Sequence, residues 1–170
     1  MRNLIVWVDG RAQVDEDDWE RVATLAGAGA TAQPVLPLKL ALADPGALAA
    51  LPRFGLVLAP DDSAEAAAPL LTRAALVAVE FPAFADGRGY STAVLLRTRL
   101  NWRGDLRAVG DVLYDQLHYL RRVGFTSFAV RADRSAAAAL AAFDEFSDAY
   151  QASVTPATPA FARRTPRSIV

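Results

Sequence analysis

Apolar and polar positions change rhythm along this chain. Residues 3–8, "NLIVWV", form a short apolar run of strand composition, and an acidic stretch, "DEDDWERVATLAG", follows with the makings of a short helix start. "PVLPLKLAL" (34–42) is interrupted by prolines and reads as an edge strand or irregular backbone. From residue 55 the pattern becomes regular. "GLVLAP" precedes helix-like "DDSAEAAAPLLTR", "ALVAVEFP" precedes "YSTAVLLRTRL", "DLRAVG" precedes "DVLYDQLHYLRRVG", and "SFAVRA" precedes "SAAAALAAFDEFSDAYQ". Continuous apolar strands alternating with helices predict an α/β fold with a mainly parallel sheet, as an open three-layer sheet or a partial TIM-like barrel.

The helical segments carry the matching period. Leu113, Leu117 and Leu120 fall on one stripe, with Asp111, Asp115, His118 and Arg122 on another. Ala139, Phe143, Phe146 and Tyr150 predict an apolar face on the last helix. Gly124 stands where a helix C′ residue belongs, just after the basic pair Arg121-Arg122. Residues 1–151 are expected to form one α/β domain, with 1–54 its less regular part. The proline-, threonine- and arginine-bearing tail 152–170 is expected to be disordered.

Composition narrows the chemistry. Hydrophobic residues make up 53% of the 170 residues and charged ones 22%, a globular balance. The formal net charge of −1 supplies no basic field for nucleic acid or acidic lipid. There is no cysteine, so this chain cannot hold an iron–sulfur cluster or a metal through thiolates, and His118 is its only histidine. The short apolar run at the N-terminus is broken by Asp9, and no segment approaches 18 apolar residues, so a cytoplasmic, membrane-free protein is expected.

Ligands of parallel sheets bind beyond the carboxyl ends of the strands. There the sequence places Asp61, Glu80, Asp86, Arg107, Asp111, Asp115 and Arg131. The sharpest element is "DGRGYS", where Gly87, Arg88, Gly89, Tyr90 and Ser91 put a guanidinium and two glycines before a helix start. That combination suits an oxyanion. It equally suits a turn in which Arg88 pairs with Asp86 or Asp111. Asp61, Glu80 and Asp111, one near each of three strand ends, are the weak candidates for a Mg²⁺ site.

The blocks "LAPDDSAEAAAPLL", "ALVAVEFPAFADGRGYSTAVLLRTRL", "LRAVGDVLYDQLHYLRRVGFTSFAV" and "FDEFSDAYQ" resemble a bacterial family of unknown function. Its members carry the label of an oxidoreductase of sulfite reduction, and its genes lie beside assimilatory sulfite reductase and sulfonucleotide reductase. The resemblance covers roughly residues 55–151. It implies an accessory role in sulfate or sulfite assimilation, with a sulfite reductase or sulfonucleotide reductase subunit as partner. It supplies no catalytic residues, and the cofactor stays unknown. Cysteine often precedes the family's "GF" pair, where this chain has Val123 before Gly124-Phe125. An enzyme acting on a small molecule through an oxyanion site or Mg²⁺ is the alternative. A partial barrel would leave an edge that a homodimer could cover.

Overall fold

The computed structural model describes residues 3–145, 150–155 and 158–159. The chain opens with a hairpin, β1 (Leu4–Val8) and β2 (Arg11–Asp15). Asp9 and Gly10 form its two-residue turn, with φ of 50° and 80°. Both values lie in the region that the primed hairpin turns require. Six strand–helix units follow. β3 (Glu20–Arg21) leads to α1 (Leu25–Gly29), and β4 (Pro34–Pro37) to α2 (Leu38–Ala43) and α3 (Pro45–Ala49). β5 (Gly55–Leu58) leads through a 3₁₀ turn to α4 (Ala68–Leu71), and β6 (Leu76–Phe81) to α5 (Arg88–Thr98). β7 (Asp105–Gly110) leads to α6 (Tyr114–Arg122), and β8 (Ser127–Ala129) to α7 (Ala136–Ala139).

All eight strands share one sheet in the order β2-β1-β8-β7-β6-β5-β4-β3. β3 to β8 are parallel neighbours in chain order, and the hairpin joins β8 antiparallel. The sheet is therefore mixed, and "mainly parallel" describes six of its strands. The order and connections bend it into a half-barrel rather than a three-layer sheet. Its two edge strands are separated in sequence by only residues 16–19. A flat sheet of this width would hold its edges roughly 33 Å apart, at about 4.8 Å per strand. The chain from Asp15 to Glu20 reaches at most about 18 Å. The sheet has to curl.

Strand alternation sorts the core into two faces. Ile5, Leu36, Leu56, Leu58, Val77, Val79, Leu106, Ala108 and Phe128 join the helices in the large cluster. Val35, Val57, Leu76 and Ala78 point to the opposite, inner face, where the partly buried hydrophobic residues Trp19 and Val109 pack on them. The helices thus cover one face, and the segment after β2 covers part of the other.

Several expectations from the sequence change here. The proline-bearing strand β4 is not at the edge, because β3 and β5 pair on its two sides. Its prolines stand at the two ends, leaving Val35 and Leu36 to carry the ladder. The acidic stretch ends in the short helix start expected of it, α1 from Leu25 with Thr24 as its N-cap, but its acidic part is not helical. Asp15–Arg21 instead crosses from one edge strand to the other. The last helix is short, since α7 ends at Ala139 and a 3₁₀ turn, Leu140–Phe143, continues it. Phe146 lies outside the described residues, and Tyr150 is exposed rather than on an apolar face. Of the tail, Thr155 donates its N–H to the Arg122 carbonyl at 2.9 Å. Residues 156–157 and 160–170 lie outside the described part.

Candidate functional site

The carboxyl ends of β5 to β8 form a charged rim, and a backbone constraint draws β6 and β7 together there. Gly110 has φ of 97°, and a Cβ on it would stand 2.3 Å from the Phe81 carbonyl oxygen. Only glycine lets the chain pass so close over the end of β6. The next residue, Asp111, donates its N–H to that same carbonyl at 2.7 Å. Its carboxylate then accepts from the Phe84 N–H at 2.9 Å and from Arg131 at 2.8 Å. Arg131 also donates to Asp133 at 2.6 and 2.9 Å.

A second pair of acids holds Arg88. Asp86 accepts from the Arg88 N–H at 3.1 Å and from its guanidinium at 2.7–3.2 Å. The remaining guanidinium nitrogen donates to Asp61. Hydrogen bonds from Arg88 hold the Asp86 carboxyl below its usual range, and those from Arg131 do the same for Asp133. The two arginines are shifted up by the same bonds. Arg88 is thus occupied by acids, as the turn reading of "DGRGYS" requires.

The glycines of that loop serve packing and turning. Gly87 precedes α5 with φ of −86°, so it needs no left-handed backbone. Gly89 sits in the first turn of α5, where a Cβ would come within 2.6 Å of the Phe81 ring. The helix starts at Arg88, so Ser91 is inside it rather than a cap. The five residues do not converge on one point. Arg88 turns to Asp86 and Asp61, Tyr90 packs on Phe81 and Tyr119, and Ser91 lines an exposed groove between α5 and α6. Burial raises the Tyr90 phenol above its ordinary value. Asp115 lies in the first turn of α6, beside a surface cavity that Tyr114, Arg134 and Ser135 also line.

Two predicted rim residues belong elsewhere. Arg107 lies inside β7 opposite Ala78, facing the inner hollow, and only 5% of it is exposed. It donates to Asp17 at 2.6 Å, Ser127 at 3.1 Å and Asp105 at 3.4 Å. Glu80 also faces the hollow and pairs with Arg21 at 2.8 Å. Both ion pairs fasten the 16–21 segment across the open side of the half-barrel. Beneath it lies a hollow of about 230 Å³, lined by Trp19, Val35, Val57, Leu76, Ala78 and Val109 with these charged groups around it. Asp61, Glu80 and Asp111 are not gathered into one ligand set, and no group of three metal-binding side chains exists among the described residues.

Sequence reasoning missed the crossing segment, because Asp17, Trp19 and Arg21 match no motif. An unusual signal was available: a tryptophan amid five acids and an arginine. It also missed Gln116, whose side chain accepts the Leu113 N–H at 2.9 Å. Arg97 was missed as well. It is buried and donates to the carbonyls of Gly124, Trp102 and Gly104, and burial pushes its pKa down to about 10.

Consecutive strand–helix units curled into a half-barrel, with a charged rim and a strapped apolar hollow, define an α/β protein of mixed sheet. The chain belongs to the family described as "Bacterial protein of unknown function (DUF934)", which matches residues 55–161, more than half its length. That span takes in β5 to β8 and their helices, the part carrying the rim. No curated protein and no solved structure matches it. Among the described residues, no helix is long and apolar enough to cross a membrane.

Proposed function

We propose that this protein is an accessory component of assimilatory sulfate or sulfite reduction that docks on a reductase subunit through its charged rim. The observation that carries the reading is the pair of prefixed charge groups, Asp61–Arg88–Asp86 and Asp111–Arg131–Asp133, presented together at the strand ends. Charges held in place by their neighbours lose little freedom on contact, and rim charges govern partner choice and encounter rate. The sulfur context rests on the family resemblance of residues 55–151. A chain without cysteine fits a partner role better than one that passes electrons through thiolate-held clusters. A cytoplasmic location accompanies this reading.

The test is capture of purified sulfite reductase or sulfonucleotide reductase subunits by the tagged full chain. Binding is expected to weaken with salt and to fail in the double variant Arg88→Glu/Arg131→Glu, with no sulfite turnover by the chain alone. Turnover by the chain alone, or no capture at low salt, would sink the proposal.

Arg88 favours a second reading. Its side chain is 54% exposed, and the Asp61 side chain paired with it is 80% exposed. An oxyanion such as sulfite could displace Asp61 while Asp86 keeps the guanidinium oriented. Sulfite is then expected to raise the melting temperature of the wild type and not of Arg88→Ala. Equal shifts in both proteins would remove this reading.

A further inference from the structure

We propose that β2 is a self-recognition strand, pairing antiparallel with β2 of a second copy about a two-fold axis at Gln13. β2 is the outer strand of the sheet, and among the described strands it pairs with β1 alone. Its outward-facing hydrogen-bonding groups can be assigned. Trp7 donates to the Thr126 carbonyl, and Asn3 accepts from Val130, so the odd residues of β1 face β8. The even residues of β1 therefore face β2, meeting Arg11, Gln13 and Asp15 in the register Val8↔Arg11, Val6↔Gln13 and Leu4↔Asp15. That leaves the N–H and C=O groups of Ala12 and Val14 pointing away from the sheet. No described residue bonds to them.

The side chains fix the partner and the register. Pairing Ala12 with the second copy's Val14, and Val14 with its Ala12, joins all the outward groups in two hydrogen-bonded pairs. The same register sets Arg11 opposite Asp15 in both directions. These are pairs without mutual backbone bonds, where side chains lie closest. Arg11 has no ion-pair partner among the described residues, and Val14 is 43% exposed on the other face of the strand. The sequence "RAQVD" is thus complementary to itself when reversed, in charge on one face and in apolar contact on the other. Moving the register by two residues in either direction separates Arg11 from Asp15 and leaves one of the outward pairs unmade. Strand addition at a free edge is an established route of recognition.

The absence of cysteine makes the test direct. In the proposed dimer Gln13 faces its own copy across a pair whose Cα atoms lie about 4.5 Å apart, within disulfide range. The full chain carrying Gln13→Cys is expected to oxidise readily to a reducible dimer, and Arg11→Cys and Asp15→Cys far more slowly. In sedimentation, Arg11→Asp and Asp15→Arg are each expected to raise the dimer dissociation constant about tenfold through two like-charge contacts. The combined swap should return it to near the original value. Circular dichroism confirms that each variant is folded. A wild type that stays monomeric at every concentration would overturn the proposal. So would equal oxidation at all three positions, or a dimer indifferent to the single reversals.

Discussion

At the scale of single residues, the glycines and buried polar groups explain more than the exposed charges do. Gly89 was legible as a special position, but the sequence could not say whether it makes room for a ligand or for a neighbour. The neighbour is Phe81, itself 1% exposed and in contact with Tyr90 and Phe125. Gly89→Ala has to push this ring aside, so a loss of about 1–3 kcal/mol is expected in denaturant unfolding. A variant as stable as the wild type would mean that α5 can shift without cost. Arg97 was illegible for the opposite reason. Nothing in "AVLLRTRL" separates an arginine that caps three carbonyls from one in water, because its acceptors come from residues 102, 104 and 124. Arg97→Met keeps the stem and removes the donors, and should destabilise by about 2–4 kcal/mol, as several carbonyls lose their partner at once.

The elements divide by how local their causes are. Strands β5 to β8 and the helices behind them were readable because each unit carries its own period and its own turn. β3 and β4 were not, since two residues of strand in one and two prolines in the other give no pattern without their neighbours. The 16–21 segment is the clearest case, because its course is set by pairs across long sequence distances: Asp17 with Arg107, and Arg21 with Glu80. The two fastenings should differ in weight. The Arg107 side chain is 6% exposed, so Asp17→Ala strips a buried guanidinium of one partner and should cost about 1–3 kcal/mol. The Arg21 side chain is 58% exposed, and Arg21→Ala should cost less than about 1 kcal/mol. Hydrogen exchange over residues 16–21 reads the same difference locally: it should speed up markedly in the first variant and little in the second. Equal effects would mean that Trp19, rather than Arg107, holds the segment down.

The whole molecule inherits a pH dependence from groups that lie far apart. On the rim, Asp86 and Asp133 titrate lower in the folded chain than in the unfolded one, because arginine holds their charged forms. Their contribution is fully present above the unfolded carboxylate value near pH 4, and it fades as the pH falls through the folded values. His118 is also shifted down, first by burial and then by Arg122. The folded chain therefore disfavours its protonated form, and stability falls as the pH drops below the unfolded histidine value of about 6.5. Both effects carry the same sign. The melting temperature should be level between about pH 7 and 9, decline slightly between about pH 6.5 and 5, and fall more steeply below about pH 4. His118→Gln should flatten the first decline and leave the second. Asp86→Asn with Asp133→Asn should lower stability at neutral pH and blunt the acid limb, since those carboxylates no longer have protons to gain. An acid limb unchanged in the double variant would mean that the rim pairs contribute nothing to folding. Their fixed geometry would then matter to a partner alone, and the salt dependence of reductase capture would be the remaining measure of it.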